Sequence, residues 1–210
     1  MWIIGLTGAL GAGKTTLSRH CQGLGIPVHC ADKAIHALLA TDKDVFKKIQ
    51  EFWPESIVHG KIERALLGEV MFSSPGALST LEGILYPKLA PLQKQFLEDQ
   101  NKQRASLVVL DVPLLFEVGL APYCHSVILA TAPRSLREER VLSRPGMSKE
   151  KFEFFETHRM LDEARLPLAH TVISTGPNSL RELEKVFETF SKEKSPAWSG
   201  EWPQTLARHM

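Results

Sequence analysis

One stretch near the start of the chain, residues 8–15, constrains the fold more than any other feature of the sequence. It reads Gly-Ala-Leu-Gly-Ala-Gly-Lys-Thr and fits the pattern G-x-x-x-x-G-K-[ST] at every fixed position. The apolar run that precedes it, residues 2–7, suits a short buried parallel strand. After it, apolar residues spaced by four and three indicate a helix with one apolar face: Leu17, Cys21 and Leu24. A strand, this loop and a helix together predict a phosphate-binding loop.

The chemistry of holding a polyphosphate explains the composition of this loop. Successive backbone N–H groups must point inward, and only residues without bulky side chains allow that close approach. The helix that begins near Lys14 adds the positive end of its dipole. In such a loop Lys14 reaches the β- and γ-phosphates of ATP, and the Thr15 hydroxyl ligates Mg²⁺. The expected ATP contacts from the loop are Gly8, Gly11, Ala12, Gly13, Lys14, Thr15 and Thr16.

Length and composition bound the class of the protein and argue against several kinds of partner. The 210 residues can form one sizeable core with a small inserted lobe, and a hydrophobic content of 43% is ordinary for a globular protein. A net charge of +1 gives no basic surface for nucleic acid or membrane. No stretch reaches the ~18 apolar residues of a membrane span, and the start lacks the basic region of a signal peptide. We therefore expect no nucleic-acid or membrane partner, and a monomer or small homo-oligomer.

Cysteine usage indicates the compartment. The three cysteines are odd in number and widely spaced, at Cys21, Cys30 and Cys124. They form no metal-ligand pair and no disulfide framework, so reduced thiols are expected. Reduced thiols are typical of a cytoplasmic protein.

Alternation of apolar runs with helical spacing predicts the fold class. Five runs are expected to be strands, at residues 2–7, 26–31, 107–112, 126–130 and 170–174. Strands that alternate with helices form a parallel sheet with helices on both faces, here an α/β phosphate-loop (P-loop) kinase fold. We expect a single domain over residues 1–194, followed by an irregular tail at 195–210. Its parts are a core at about 1–33, 104–134 and 166–194, an inserted helical substrate lobe at about 34–103, and a lid at about 135–165.

Local signals predict where the helices begin and end. Within the inserted lobe, Pro87 and Pro91 are among the residues expected to interrupt helices. Two capping boxes of the form S-x-x-E, at residues 135–138 and 179–182, predict that helices begin at these points.

An arginine-rich segment lies between the last two predicted strands. Arg137, Arg140 and Arg144 fall at i, i+3 and i+7, and hence on one face of a helix. The Pro-Gly pair at 145–146 predicts a break of the kind that a mobile lid needs. We expect Arg140 and Arg144 to bind the ATP phosphates, with Arg140 in a catalytic role when the lid closes and in solvent when it opens. A solvated helix face is the alternative, because neighbouring glutamates nearly balance the arginines.

Two aspartates follow predicted strands and are the candidate acidic groups. Asp111 closes the most strongly β-branched run, as the acidic residue of a second phosphate-site motif does, and is expected to hold Mg²⁺ through water. Asp32 is expected to end the second strand, where it would open into the ligand crevice and orient an acceptor hydroxyl. The alternatives are a helix N-cap for Asp32 and a strand-end turn residue for Asp111.

Over about residues 3–190 the chain resembles the dephospho-coenzyme A kinase family. Residues 111–117, Asp-Val-Pro-Leu-Leu-Phe-Glu, match the family's D-x-P-L-L-x-E block, which other phosphate-loop kinases do not generally carry. Further matches are Gly-Leu-Thr-Gly at 5–8, Ala31-Asp32, the spaced Gly60, Arg64, Leu67 and Phe72, Leu85-Tyr86-Pro87, and Glu163-Ala164-Arg165.

The resemblance implies ATP-dependent phosphorylation of the ribose 3′-hydroxyl of dephospho-coenzyme A, with Mg²⁺ as cofactor. It implies that Asp32 is catalytic and that Gly176 contacts the nucleotide. The residues that it implies for the acceptor are Asp32, Arg64, Tyr86, Pro87, Leu114 and Glu117.

The sequence also departs from the family's usual pattern. Cys30 replaces an Asp, Tyr86 replaces a His, Arg159 stands where Gln is expected, and Ser-Thr-Gly at 174–176 replaces N-N-G. Two other functions stay open at this point. One is a different nucleoside or nucleotide kinase of the same architecture, and the other is a binding module whose nucleotide hydrolysis switches a partner.

Overall fold

The computed structural model of the protein describes residues 1–207 and alternates strands with helices along the chain. The strands are β1 (Trp2–Gly8), β2 (Val28–Cys30), β3 (Ile57–Val58), β4 (Lys61–Ile62), β5 (Leu107–Asp111), β6 (Ser126–Thr131) and β7 (Thr171–Ser174). The helices are α1 (Lys14–Gly23), α2 (Ala31–Thr41), α3 (Lys43–Phe52), α4 (Arg64–Ser73), α5 (Ala77–Lys102), α6 (Arg134–Leu142), α7 (Lys149–Thr157), α8 (Asp162–Arg165) and α9 (Ser179–Ser191).

In the described chain, one five-stranded sheet has the order β2-β5-β1-β6-β7, and all of its strand pairs are parallel. Its strands are the five predicted from the sequence, with small differences at their ends. The strand β1 lies at the centre because both β5 and β6 pair with it. The carboxyl ends of parallel strands therefore converge at one edge, where ligands bind in sheets of this type. A second sheet, the antiparallel β3–β4 hairpin, was not expected from the sequence.

Helices cover both faces of the sheet, as predicted for buried parallel strands. One apolar cluster joins β1 and β6 to helices α1 and α9, through residues that include Leu17 and Leu183. A larger cluster lies on the other face and combines β5 with the inserted helices, including Val45 and Leu97. Each cluster removes apolar surface from water on its own face, and this stabilises the central strands β1, β5 and β6, which are buried on both faces.

The expectation that Pro87 and Pro91 interrupt helices is wrong, because both lie inside the 26-residue helix α5. A proline removes the hydrogen bond to the carbonyl four residues earlier. Both prolines are exposed, so the carbonyls that lose an amide donor lie on a face that water can reach. The opposite face of the same helix is buried, and its packing outweighs the local cost of the prolines. The buried residues are Ala77, Ile84, Leu85, Tyr86, Leu89, Ala90, Gln93 and Leu97.

Neither predicted capping box forms. Helix α6 begins at Arg134, with Pro133 at its N-cap, so Ser135 already lies inside the helix. Helix α9 begins at Ser179 itself, and the Ser179 hydroxyl donates to the carbonyl of Gly176 over 2.8 Å. In both cases the backbone enters the helix one residue or more before the position that the side-chain pattern indicates.

Residues 192–207, after α9, form no further helix or strand, and they pack on the same side of the sheet as the larger apolar cluster; residues 208–210 of the predicted tail lie outside the described residues. Trp202 and Leu206 are buried in the larger apolar cluster, with 5% and 3% of their surface exposed. The Trp202 ring lies 5.6 Å from the ring of Tyr123. The amino group of Met1 donates to the carbonyl of Pro196, which ties the two ends of the described chain together.

Candidate functional site

Two glycines allow the loop between β1 and α1 to pack against the rest of the site. Gly11 and Gly13 have φ values of 80° and 84°, in the left-handed region that side chains disfavour. A Cβ atom on Gly11 would lie 2.5 Å from the carbonyl oxygen of Arg137, and one on Gly13 would lie 2.8 Å from Thr175 Oγ1. Backbone strain and close approach therefore both require glycine at these two positions.

The loop forms one wall of an open cleft of about 510 Å³. Every residue that the sequence predicts as an ATP contact lines this cleft: Gly8, Gly11, Ala12, Gly13, Lys14, Thr15, Thr16, Arg140, Arg144 and Gly176. Several side chains complete the lining, among them Asp32, Arg159 and Thr175. We call this space the phosphate cleft.

Lys14 and Asp111 form a buried ion pair at the base of the phosphate cleft. Lys14 has 9% of its surface exposed and Asp111 has 2%, and the lysine ammonium donates to Asp111 Oδ1. Adjacent strands bring them together, since Leu6 of β1 is in register with Asp111 at the end of β5. Lys14 lines the cleft, whereas Asp111 lies behind it. Within residues 1–207, no group of three or more His, Cys, Asp or Glu side chains could hold a metal ion.

Arg140 is hydrogen-bonded to the phosphate-binding loop in this structure, which differs from the expectation of a solvent-exposed side chain. Its Nη1 donates to the carbonyl of Gly11 over 3.2 Å and to Thr175 Oγ1 over 2.9 Å. The Thr175 hydroxyl in turn donates to the carbonyl of Ala12 over 2.8 Å. Thr175 therefore joins Arg140 to the loop. The sequence marks Thr175 only as a departure from the family pattern, and no local motif indicates this role.

The other two arginines of the predicted row are in different environments. Arg137 is buried and donates to Glu156 over 2.7 Å and to the carbonyl of Leu10 over 3.3 Å. It anchors α6 and α7 to the loop and does not line the phosphate cleft. Arg144 follows the end of α6, is exposed, and lines the cleft. The expectation that all three arginines share one face of a helix is wrong, because α6 ends at Leu142, before Arg144. Only Arg140 and Arg144 face the cleft.

Asp32 lies in the first turn of α2, so the expectation that it ends the second strand is wrong. Strand β2 ends at Cys30, which occupies the N-cap position without a side-chain capping bond. Asp32 is thus not the N-cap either. A carboxylate in the first turn is nevertheless favoured by the helix dipole. Asp32 is exposed and lines both the phosphate cleft and a second, adjoining pocket.

The second pocket, which we call the acceptor pocket, has a volume of about 190 Å³ and a mostly apolar lining. Helices α2 and α5, the loop after β5, and the C-terminal segment contribute residues that include Ile35, Leu85, Leu89 and Leu206. Three of its residues, Asp32, Pro113 and Arg159, also line the phosphate cleft. The two spaces therefore adjoin at Asp32.

The residues predicted to contact the acceptor divide between this pocket and other places. Tyr86 and Leu114 line the acceptor pocket together with Asp32. Arg64 and Pro87 line neither the pocket nor the cleft. Arg64 is exposed, and its guanidinium lies 2.7 Å from His36 Nε2. The roles predicted for Arg64 and Pro87 in binding the acceptor stay predictions, because neither residue lines the pocket.

Glu117 also lies outside both spaces and forms a buried ion pair. Its Oε1 accepts from Arg165 over 2.7 Å and from the backbone N–H of Met160 over 3.3 Å. Arg165 is 0% exposed and Glu117 is 4% exposed. Removing one member of such a pair leaves the other charge buried alone. Glu117 therefore holds the segment that follows α7 in place, through its bonds to Met160 and Arg165.

Arg159 supplies the positive charge at the junction of the two spaces. Burial, reinforced by the neighbouring charge of Arg165, lowers the pKa of Arg159 from its usual value, whereas Asp32 and Glu117 act in the opposite direction. The pKa of a guanidinium is so high that Arg159 stays charged at neutral pH. Its charge near Asp32 suits an anionic substrate better than the glutamine of the family pattern.

Comparisons with known proteins find similar sequences and similar folds. A family model described as dephospho-CoA kinase matches residues 2–180. The dephospho-CoA kinase of Bartonella quintana is 34% identical over 187 residues, which cover 89% of this chain and 95% of that protein. A crystal structure of a Thermus thermophilus protein superimposes with a TM-score of 0.71 at 31% identity, over 91% of this chain and 96% of that one. The dephospho-CoA kinase from Campylobacter jejuni gives a TM-score of 0.60 at 25% identity, over 91% and 98%.

Proposed function

The chain belongs to the dephospho-CoA kinase family and is a phosphotransferase that makes CoA in the last step of its synthesis, and we propose that Asp32 is its catalytic carboxylate. The observation that carries this proposal is the position of Asp32 on both the phosphate cleft and the acceptor pocket. A group that receives a proton from the acceptor must lie within reach of both substrates. Among the described residues, Asp32 is the exposed carboxylate that lines the cleft where it adjoins the acceptor pocket.

The proposed reaction is an in-line attack of the acceptor's ribose 3′-hydroxyl on the γ-phosphorus of ATP. Asp32 orients the hydroxyl and accepts its proton, a new O–P bond forms, and the bond to the β-phosphate oxygen breaks to release ADP. Lys14 and the backbone N–H groups of the loop hold the phosphate oxygens. Arg140 stabilises charge on the transferring group with its planar fork of donors.

Mg²⁺ is the proposed cofactor, and two oxygen-bearing side chains fit it. Thr15 is exposed and lines the phosphate cleft, and the buried Asp111 carboxylate is paired with Lys14, which also lines the cleft. Hydroxyl and carboxylate oxygens are the ligands that Mg²⁺ prefers, and it commonly keeps several waters. Thr15 would hold the ion directly and Asp111 through water. When bound, the ion neutralises charge on the β- and γ-phosphates.

We also propose a cytoplasmic location for this kinase. Cys21, Cys30 and Cys124 are all free thiols in the structure. Burial raises the pKa of Cys21 and of Cys124 to about 12, so these two thiols stay protonated and inert. Free, unpaired cysteines are typical of a reducing compartment. Separately, none of the helices within residues 1–207 has the length and apolar character needed to cross a membrane. A monomer or small homo-oligomer stays a prediction.

A panel of acceptors tests the proposed function against its alternatives. ADP release is measured with ATP, Mg²⁺ and one of four compounds: dephospho-CoA, uridine, UMP or shikimate. Acceptor-dependent release with dephospho-CoA alone is the expected result. Release that depends on a nucleoside or nucleotide acceptor would favour the other kinases, and release without any acceptor would favour a switch module.

A further inference from the structure

The acceptor pocket contains a buried amide whose polar atoms have no partner. Gln93, on α5, is 0% exposed and lines the pocket. Among residues 1–207, neither its Nε2 nor its Oε1 finds a hydrogen-bond partner. A buried polar group left unpaired destabilises the folded state, so most such groups in folded proteins have a hydrogen-bond partner. Gln93 therefore presents an unused donor and an unused acceptor side by side.

The surroundings of Gln93 restrict what can satisfy it. Leucine, isoleucine and valine side chains form most of the pocket lining, which does not suit a diphosphate. Glu82 and Tyr86 also line the pocket, but each already has an interaction of its own. The matching ligand is a flat or compact apolar group with one donor and one acceptor on the same edge.

The acceptor offers one such group close to its reacting hydroxyl. In dephospho-CoA the ribose carries both the 3′-hydroxyl and the adenine, whereas the charged diphosphate and the pantetheine arm leave from the 5′ carbon. With the hydroxyl at Asp32, the adenine is one ring away. Its 6-amino group donates, its neighbouring ring nitrogen accepts, and a Gln amide pairs with that edge through two hydrogen bonds.

We propose that the acceptor pocket is the subsite for the adenine of dephospho-CoA, and that the Gln93 amide recognises its 6-amino edge. This proposal rests on the proposed function, because it uses the position of Asp32 to place the ribose. Asp32 is exposed and Gln93 is fully buried, so the pocket runs inward from the phosphate cleft. The pocket then binds the acceptor by shape and apolar contact, and Gln93 provides specificity for adenine over other bases.

The test compares Gln93→Leu with the wild-type protein on two acceptors. One is dephospho-CoA, and the other is its analogue with unsubstituted purine, which lacks the 6-amino group. Binding of each acceptor is measured by calorimetry without ATP, and kcat and KM are measured separately with ATP. Leu replaces an unpaired buried amide by an apolar group of similar size, so we expect the fold to be as stable as wild type or more so.

We expect wild type to prefer the adenine acceptor by roughly tenfold to a hundredfold, and Gln93→Leu to lose most of that preference. The loss should fall on KM and binding of the adenine acceptor, with kcat and the KM for ATP nearly unchanged. The matched control is Gln95→Leu, an exposed position on the same helix, which should behave as wild type.

Two results would separate the failure of this proposal from that of the proposed function. If both wild type and Gln93→Leu phosphorylate dephospho-CoA and show the same preference for the adenine acceptor over the purine acceptor, the adenine subsite is overturned and the proposed kinase reaction is kept. Binding with a Gln93-dependent preference for the adenine acceptor, but without phosphorylation, would keep the subsite and overturn the proposed reaction. A raised KM for both acceptors alike in Gln93→Leu would also overturn the base assignment.

Discussion

The phosphate cleft and the acceptor pocket adjoin at Asp32, yet they are built in different ways. The cleft depends on backbone groups of one short loop, residues 8–15, and on side chains hydrogen-bonded to that loop. The pocket depends on apolar side chains contributed from Ala31 to Leu206, across most of the described chain. In the proposed function, the cleft recognises a phosphate group through backbone donors, and the pocket recognises the acceptor by its shape through side chains.

This difference predicts how each space tolerates change. Every substitution except one by proline keeps the backbone N–H group, so the cleft is sensitive chiefly at its glycines and at its few charged side chains. An apolar pocket loses affinity gradually as contacts are removed, because each methylene group contributes only about 0.8 kcal/mol. Changes to the cleft should therefore act mainly on kcat, and changes to the pocket mainly on the KM for the acceptor.

Asp32→Asn should produce the largest effect, because Asp32 serves both spaces. The amide keeps the size of the side chain but cannot accept a proton, so kcat should fall by about 10³-fold. The KM for ATP should change little, since Lys14 and the loop still hold the phosphates. Steady-state kinetics with both substrates measure this. Asp44→Asn, an exposed carboxylate paired with Lys88, is the control and should behave as wild type. If Asp32→Asn had the same kcat as wild type, Asp32 would not be the catalytic carboxylate.

Lys14→Ala should lower kcat by about 10²-fold or more, because it removes a positive charge from the transferring phosphoryl group. The structure adds a second consequence, since the variant leaves the buried Asp111 carboxylate without its partner. The melting temperature should therefore fall as well. Lys14→Ala combined with Asp111→Asn separates the two effects: it should recover much of the stability and none of the activity. Recovery of turnover in the double variant would show that Lys14 acts only on the fold.

The comparison also explains which features could be predicted from the sequence. Residues 8–15 are contiguous, and their pattern indicates a backbone shape directly, so the ATP contacts predicted within this loop line one cleft. The three central strands of the sheet, β1, β5 and β6, could be predicted because each is a largely apolar run that is buried on both faces. In these cases the sequence pattern lies within the same few residues that form the structural element.

Features that depend on distant contacts could not be predicted in this way. Gln93 and Leu206 are far apart along the chain and reach one pocket only through packing. Thr175 joins Arg140 to the loop from the end of β7, which no local spacing encodes. The capping pattern at Ser135 does not mark the start of the helix, because α6 begins at Arg134 with Pro133 at its N-cap.

Arg140→Lys should have an intermediate effect on the cleft, with kcat about tenfold lower. Lysine keeps the charge but loses the planar fork that binds both the loop carbonyl of Gly11 and the Thr175 side chain. Transition-state charge is then stabilised less, while ATP binding changes little. Arg134→Lys is the matched control on the same helix, because Arg134 forms an exposed ion pair with Glu153. If the two variants had equal kcat and KM values, Arg140 would have only a structural role, that of holding the loop.

Leu206→Ala should have the smallest effect and should act on the acceptor side only. Leu206 is 3% exposed and forms part of the pocket wall from the C-terminal segment, outside the residues that the family model matches. Truncation removes about one methylene contact with the acceptor, worth about 0.8 kcal/mol, so the KM for dephospho-CoA should rise roughly fourfold while kcat and the KM for ATP stay constant. Limited proteolysis shows whether the segment remains docked, and Leu92→Ala, an exposed leucine of α5, is the control. A fall in kcat at constant acceptor KM would contradict the division of roles, because it would couple an apolar wall to the chemistry at Asp32.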